Sequence, residues 1–379
     1  MFNSTGQSGI RQWPVWARIG LWIVATRVIA QLAMVAGTFW PWAGGGWIGQ
    51  SGSLFYRQVP NRWLDVWGRW DSSFYLNIAA RGYPPPPAEG WAYDAAYYPL
   101  LSCLMRGLSE LLGGASLYFC AVFLVNAFFV LGLVYLYRLV RLDESQRFAE
   151  EVLLVALAYP GSHFLSVVYP DSLMFFLGVF ALYAARTGRF VVAGLAMMLA
   201  AVTRSSGVLL TVPVLLEMLR GPDGRWRANP WALVVLFVPL SVGPFLMLHQ
   251  KVYGDPFYFM HVQAGWGRHP TFPLEPLFSF DLSPDYHLFA LVGMALVVFG
   301  FRRRERPSYW ASAAITLMLP LSTGILHGIH RYLASNFPLY VFAARWFENR
   351  PRAKLVYRVV GLALMALFAF QWGKNRHPN

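Results

Sequence analysis

The densest run of reactive side chains is Arg69-Trp70-Asp71-Ser72-Ser73-Phe74-Tyr75, continuing through Ile78 to Arg81, Gly82 and Tyr83. Asp71 and Ser72 stand where a helix N-cap and first turn would lie. Phe74, Ile78 and Arg81 then share one helical face, and Gly82 can terminate the turn. One reading is an interfacial amphipathic helix with a capping aspartate. The other is a carboxylate presented to a cavity at membrane level. A carboxylate so placed could take the proton from an attacking hydroxyl as a general base, and cations beside it could stabilise a departing phosphate.

Further candidates follow along the chain. Asp171 comes after Pro170 at the start of an apolar run, where an N-cap role competes with binding a substrate hydroxyl. Arg204 divides two short apolar pieces; it reads as a snorkelling interface arginine or as a phosphate ligand whose planar fork suits the leaving group. Arg331 divides the same way, with His327 and His330 beside it. Asp94 lies just before Tyr97-Tyr98-Pro99-Leu100 and Trp70 just before Asp71; both are candidate substrate contacts. Asp65 reads as solvated, and His163 and His261 as interface or hydrogen-bonding residues. Pro84-Pro85-Pro86-Pro87 is a stiff extended spacer.

The elements that must position these groups are membrane helices. The 379 residues are 57% hydrophobic and 17% aromatic, with only 13% charged, about half the charge of a soluble domain. Apolar runs of roughly twenty residues recur throughout, the length needed to span a hydrocarbon core. The spacing predicts eleven segments, near 15–38, 115–140, 149–168, 171–186, 190–203, 206–219, 231–250, 286–301, 308–326, 332–346 and 355–372, with an amphipathic stretch at 99–113. The first run lacks a small-residue cleavage site and reads as a retained span. Sixteen Trp and nineteen Tyr suit aromatic belts. The whole chain, 1–379, reads as one all-α polytopic unit.

The net charge of +13 lies in short loops, without the basic stripe and interleaved aromatics of a nucleic-acid binder. With the N-terminus inside, 20 of the 31 Lys and Arg fall on the inner side. The positive-inside rule then places the 39–113 and 251–285 loops outside. The expected location is the plasma (inner) membrane, with the site extracytoplasmic. The basic inner loops would also hold anionic lipid headgroups. Cys103 and Cys120, without metal-ligand spacing, read as packing residues. In this topology Asp65, Asp71, Asp94, Asp171, Arg204, Asp255, His261, Arg268, His327, His330 and Arg331 all gather at one interface. A transporter would be expected to hold them nearer mid-depth.

The blocks Trp70-Asp71-Ser72-Ser73-Phe74-Tyr75 to Gly82-Tyr83, Tyr97-Tyr98-Pro99-Leu100, Tyr159-Pro160-Gly161-Ser162-His163-Phe164, Tyr169-Pro170-Asp171-Ser172-Leu173, Thr203-Arg204-Ser205-Ser206-Gly207, and Arg331-Tyr332 with Phe337-Pro338-Leu339 together resemble the PIG-V mannosyltransferases of the GT-C superfamily, in family order. The resemblance implies a GT-C-type multi-helix bundle with a long first outer loop carrying a catalytic carboxylate, matched here by Asp71. It also implies a polyprenyl-phosphate sugar donor, mannose in the family, and an inverting transfer. The acceptor would be an extracytoplasmic glycan, lipid or protein, and a compact chain of this kind resembles a prokaryotic homologue. Asp171 replaces the family's usual Glu. No Asp-x-Asp pair occurs in the first loop, so a divalent metal is not indicated by that motif. Two rival functions remain open on the residues alone: a ligase or polymerase using a lipid-pyrophosphate donor, and a non-enzymatic lipid-sugar transporter.

The orientation generates a direct expectation. A cysteine introduced at Pro86 should react with a membrane-impermeant maleimide in intact cells; reaction only after permeabilisation would reverse the topology.

Overall fold

The computed structural model describes residues 14–40, 58–220, 224–278 and 284–374; residues 41–57 of the first expected outer loop and 279–283 of the second lie outside them. In chain order the helices are α1 (Val15–Thr38), α2 (Arg62–Asp65), α3 (Ser72–Arg81), α4 (Leu100–Leu111), α5 (Leu117–Val140), α6 (Gln146–Leu157), α7 (Asp171–Arg186), α8 (Phe190–Ala201), α9 (Ser205–Leu209), α10 (Thr211–Met218), α11 (Phe237–Tyr253), α12 (Tyr258–His261), α13 (Pro284–Arg302), α14 (Pro307–Leu321), α15 (Ile329–Ala334), α16 (Phe337–Phe347) and α17 (Pro351–Gly373). Among the described residues there is no strand, only an isolated bridge between Arg220 and Trp226.

Among the described residues five helical stretches are long and apolar enough to cross a membrane: Val15–Thr38, Leu117–Val140, Pro230–Tyr253, Pro284–Arg302 and Pro351–Gly373. The remaining expected spans are shorter, and two are interrupted. The 149–168 run stops at Leu157, because Pro160 and Pro170 lack the N–H that an unbroken helix needs. Between them runs a 3-10 turn, Pro160–Leu165, whose six residues are all buried. The two short expected pieces 190–203 and 206–219 are divided at Arg204, whose backbone is extended (φ −159, ψ 158). The last expected span before α17 splits into α15 and α16, the second opening on Pro338. Non-helical backbone at such depth survives only where protein, not lipid, surrounds it. The Pro160–Leu165 turn satisfies that condition, since all of it is buried, and α7, which follows it, lies between α5 and α8, where Gly132 of α5 leaves space that only a missing Cβ could give to Phe175.

Helices α1 and α17 run parallel and cross where Gly37 and Gly373 bring the backbones together. Their parallel sense agrees with an odd number of crossings. Ion pairs sort the helix ends into two faces. On one, Arg18 meets Glu150 at 2.8 Å, and Lys354 and Arg358 meet Glu151. Arg186 bridges Asp143 and Glu217 there, Arg306 also reaches Glu217, and Arg345 joins Glu144 to Glu305. These are the residues expected on the inner side. At the opposite ends lie Asp71, Asp171, Arg204 and Arg331.

Two expectations change. Asp65 is not solvated: it is buried, pairs with Arg69 at 2.5 Å and accepts the N–H of Val59 at 3.0 Å. The reason is local. The Tyr118 hydroxyl (2.6 Å to Leu64 O) and the Trp372 indole (2.7 Å to Val66 O) pin the α2 end onto the bundle and cover it. Cys120 packs in the core as expected, but Cys103 is exposed on α4.

Removing one member of the buried pair should cost more than removing both. Asp65→Asn strands the Arg69 charge, a penalty of about 3–5 kcal/mol, and should lower the melting temperature of the purified protein. Asp65→Asn/Arg69→Met should recover part of the loss. A double variant no more stable than the single would show that the stranded charge is not the cause.

Candidate active site

The site begins with a strained turn. Trp70 adopts φ 52, a left-handed conformation that bulky residues rarely tolerate. Three local bonds hold the turn: the Ser73 hydroxyl donates to Trp70 O (2.9 Å), the Arg69 N–H donates to the Ser72 hydroxyl (3.1 Å), and the Asp71 N–H donates to the hydroxyl of Tyr169 (3.2 Å). Asp71 then occupies the N-cap position of α3, but with helical dihedrals (φ −55, ψ −18) and no capping bond from its side chain. In that geometry the carboxylate points away from the helix's free N–H groups. It instead accepts from Nη1 of Arg331 at 2.7 Å. The capping reading of Asp71 is therefore set aside.

Arg331 comes from α15, 260 residues away in sequence. Its guanidinium lies 4.6 Å above the Tyr169 ring, and its Nε is 3.5 Å from Oδ2 of Asp171. Asp171 is the first residue of α7 and also makes no cap bond. Its carboxylate accepts from Arg204, which leaves the α8–α9 break with its guanidinium 4.6 Å from the centre of the Tyr332 ring. Four helix ends thus converge on an alternating series, Asp71–Arg331–Asp171–Arg204. Its exposure is graded: the Asp171 side chain is 0% exposed, Arg204 9%, Arg331 16% and Asp71 25%. Buried charges of this kind persist only when paired, and the open end of the series is the Asp71 carboxylate.

The other predicted residues are placed around this group. Trp70 packs against the cluster containing Phe164, Val167, Tyr169 and Trp372. His330, although adjacent to Arg331, is buried with its ring 5.6 Å from that of Tyr286 and close to Phe164, Phe289 and Phe368. Asp94 sits on the 3-10 turn Tyr93–Ala96, apart from the ion-pair series and near Tyr253; burial pushes its carboxyl above the ordinary aspartate range. Asp255 and His261 pair with each other at 2.6 Å on the surface. Arg268 is held by Thr323 Oγ1 (3.1 Å) and the His327 carbonyl (3.0 Å). His163 is buried beside the Pro160 carbonyl. Sequence reasoning passed over Tyr169 and Tyr332 as contacts. The available signal was their position, each directly next to a candidate charge or one proline removed from it. Among the described residues no three His, Cys, Asp or Glu side chains gather as a metal ion would require.

This arrangement of helices is found in known structures. ArnT from Cupriavidus metallidurans bound to undecaprenyl phosphate matches with a TM-score of 0.57 at 16% identity, over 93% of this chain and 64% of that one. The same protein in the apo state matches with a TM-score of 0.52 at 15% identity, over 93% of this chain and 63% of that one. The chain therefore spans just under two thirds of the length of these structures. At this identity the likeness shows a shared fold. Residues 47–220, the segment that carries Asp71, Asp171 and Arg204, match the model of the mannosyltransferase (PIG-V) family. No curated protein matches the chain.

The graded burial separates the two carboxylates by experiment. Asp171→Asn leaves two largely buried guanidiniums short of a counter-charge, so the variant should accumulate poorly or melt well below the parent. Asp71→Asn, at the open end, should fold within about 1 kcal/mol of the parent. Equal stability losses by thermal unfolding would refute the assignment of Asp171 as the anchor.

Proposed function

We propose that the protein transfers a hexose, mannose by the family that residues 47–220 match, from a polyprenyl-phosphate donor to a hydroxyl of an extracytoplasmic acceptor, with inversion at the anomeric carbon. The observation that supports this most is the partly exposed carboxylate of Asp71 held 2.7 Å from Arg331 at the open end of an otherwise more buried ion series. A base must be reachable by its substrate. Asp71 is, and Asp171 is not.

In this reading Asp71 accepts the proton of the acceptor hydroxyl as its oxygen bonds to the anomeric carbon. The bond from that carbon to the phosphate oxygen breaks on the opposite side. The lipid phosphate leaves with one more negative charge than it carried in the donor, so no general acid is needed. Arg331, and behind it Arg204, stand where that charge would develop, and preorganised cations contribute most in a site shielded from water. Asp171 keeps both guanidiniums in place, and Tyr169 fixes Asp71 from its backbone side and Arg331 from below. The ordering resembles an inverting glycosidase with an acceptor hydroxyl in place of water.

Asp71→Asn should still bind donor but lose about 10²–10⁴-fold in transfer rate. The assay uses purified protein with a mass-tagged polyprenyl-phosphate mannose, and the same sugar on a lipid pyrophosphate as comparison. Transfer near the parental rate would remove Asp71 as the base, and preference for the pyrophosphate donor would change the substrate class. Arg204→Lys keeps the charge but loses the fork, and donor use should weaken by a contribution on the order of 1.5–3 kcal/mol. Unchanged donor dependence in Arg204→Ala would take this residue out of the phosphate's reach.

A further inference from the structure

On the face opposite Asp71, the end of α5, the α13–α14 turn and the inward side of α16 enclose a cavity of about 150 Å³ whose walls include Glu144, Arg304, Glu305, Arg306, Tyr309 and Arg345. Asp143 is its third carboxylate, and all three are already engaged: Arg186 holds Asp143 at 2.6 Å with Arg306 at 3.4 Å, and Arg345 pairs with Glu144 and, at 3.2 Å, with Glu305. The unfilled valences are donors. The Tyr309 hydroxyl, on a residue only 4% exposed, meets no acceptor, and neither does the buried Nε–H of Arg306. A buried donor without an acceptor is costly unless a ligand or water completes it.

Arg304 completes the picture from the mouth. It is exposed, and the turn holds it at φ 55, a conformation that non-glycine residues seldom adopt without a reason in the surrounding structure. Arg302, Arg303 and Arg141 lie exposed nearby in the same turns and add to a positive local field. Burial pushes the Glu305 carboxyl upward against the pull of Arg345. A neutral hydroxyl donor, a guanidinium edge and a free guanidinium around one small void suit an oxygen-rich anion. The void lies at the ends of the membrane-length helices α5 and α13, the level at which lipid headgroups stand.

We propose that this cavity is a phosphate site that holds the headgroup phosphate of an anionic membrane lipid. It does not depend on the donor chemistry proposed above, and it lies on the other side of the bundle. The full chain, purified in an uncharged detergent and stripped of lipid, can be heated while its tryptophan fluorescence is followed, with added phosphatidylglycerol, diacylglycerol or inorganic phosphate. Phosphatidylglycerol should raise the transition by a few degrees, and diacylglycerol, which has no phosphate, should not. Arg304→Ala, an exposed change, and Tyr309→Phe, which keeps the ring against Phe337, should each raise the half-saturating amount of phosphatidylglycerol roughly tenfold. An equal shift from diacylglycerol, or parental responses in both variants, would overturn the site. A full shift from inorganic phosphate alone would keep the phosphate chemistry and remove the lipid as its source.

Discussion

Asp171 is a fully buried carboxylate at the start of α7, and two guanidiniums from distant parts of the chain turn toward it. Taking such charges out of water costs several kcal/mol each, and only close pairing recovers it. The α8–α9 break, α15 and the N-terminus of α7 are therefore bound to one another by the need to neutralise a single group. Once they are, Arg331 is fixed at a point where it can also hold Asp71, and the turn that carries Asp71 acquires a definite seat on the bundle. The exposed carboxylate is positioned by the buried one.

The interrupted helices follow from the same requirement. A helix that ends inside the bundle leaves free N–H and C=O groups, and those ends are where polar side chains are needed. Pro160, Pro170 and Pro338 enforce the stops. The residues between Leu157 and Asp171 are then held by protein contacts. Arg27, halfway along α1, donates to the Ser162 carbonyl at 2.8 Å and to the hydroxyls of Ser162 and Ser166 at 3.0 Å, with its charge 4.8 Å from the Phe129 ring centre. That brace leads on to Tyr169, whose hydroxyl meets Asp71. The short helices surround a polar end group that membrane-length helices would have carried past one another.

The two faces of the bundle use charge differently. At the Asp71 face the ions form a short open series with a graded exposure, as a site that must admit a substrate requires. At the other face Arg186, Arg306 and Arg345 each bridge two or more carboxylates from different helices. Those networks tie the ends of α5, α7, α10, α14 and α16 together and set the frame within which the first face is held.

Composition and periodicity alone determine that the chain is a helical membrane protein, because hydrocarbon demands apolar runs of a fixed length and charge must collect in the loops. They also place Asp71, Asp171, Arg204 and Arg331 at one interface, since that follows from counting crossings. The sequence left Asp71 and Asp171 open between caps and site residues. Both occupy cap-like positions, and a cap is a local property that spacing mimics. Only the tertiary structure shows that neither side chain caps: their partners come from Arg331 and Arg204, 260 and 33 residues away. The same holds for Asp65, which reads as solvated in a polar loop but is covered by Tyr118 and Trp372 from other helices. Local patterns fix which residues can lie at one depth; which of them touch depends on how the helix ends are brought together, and that is settled by the cost of leaving a buried charge unpaired.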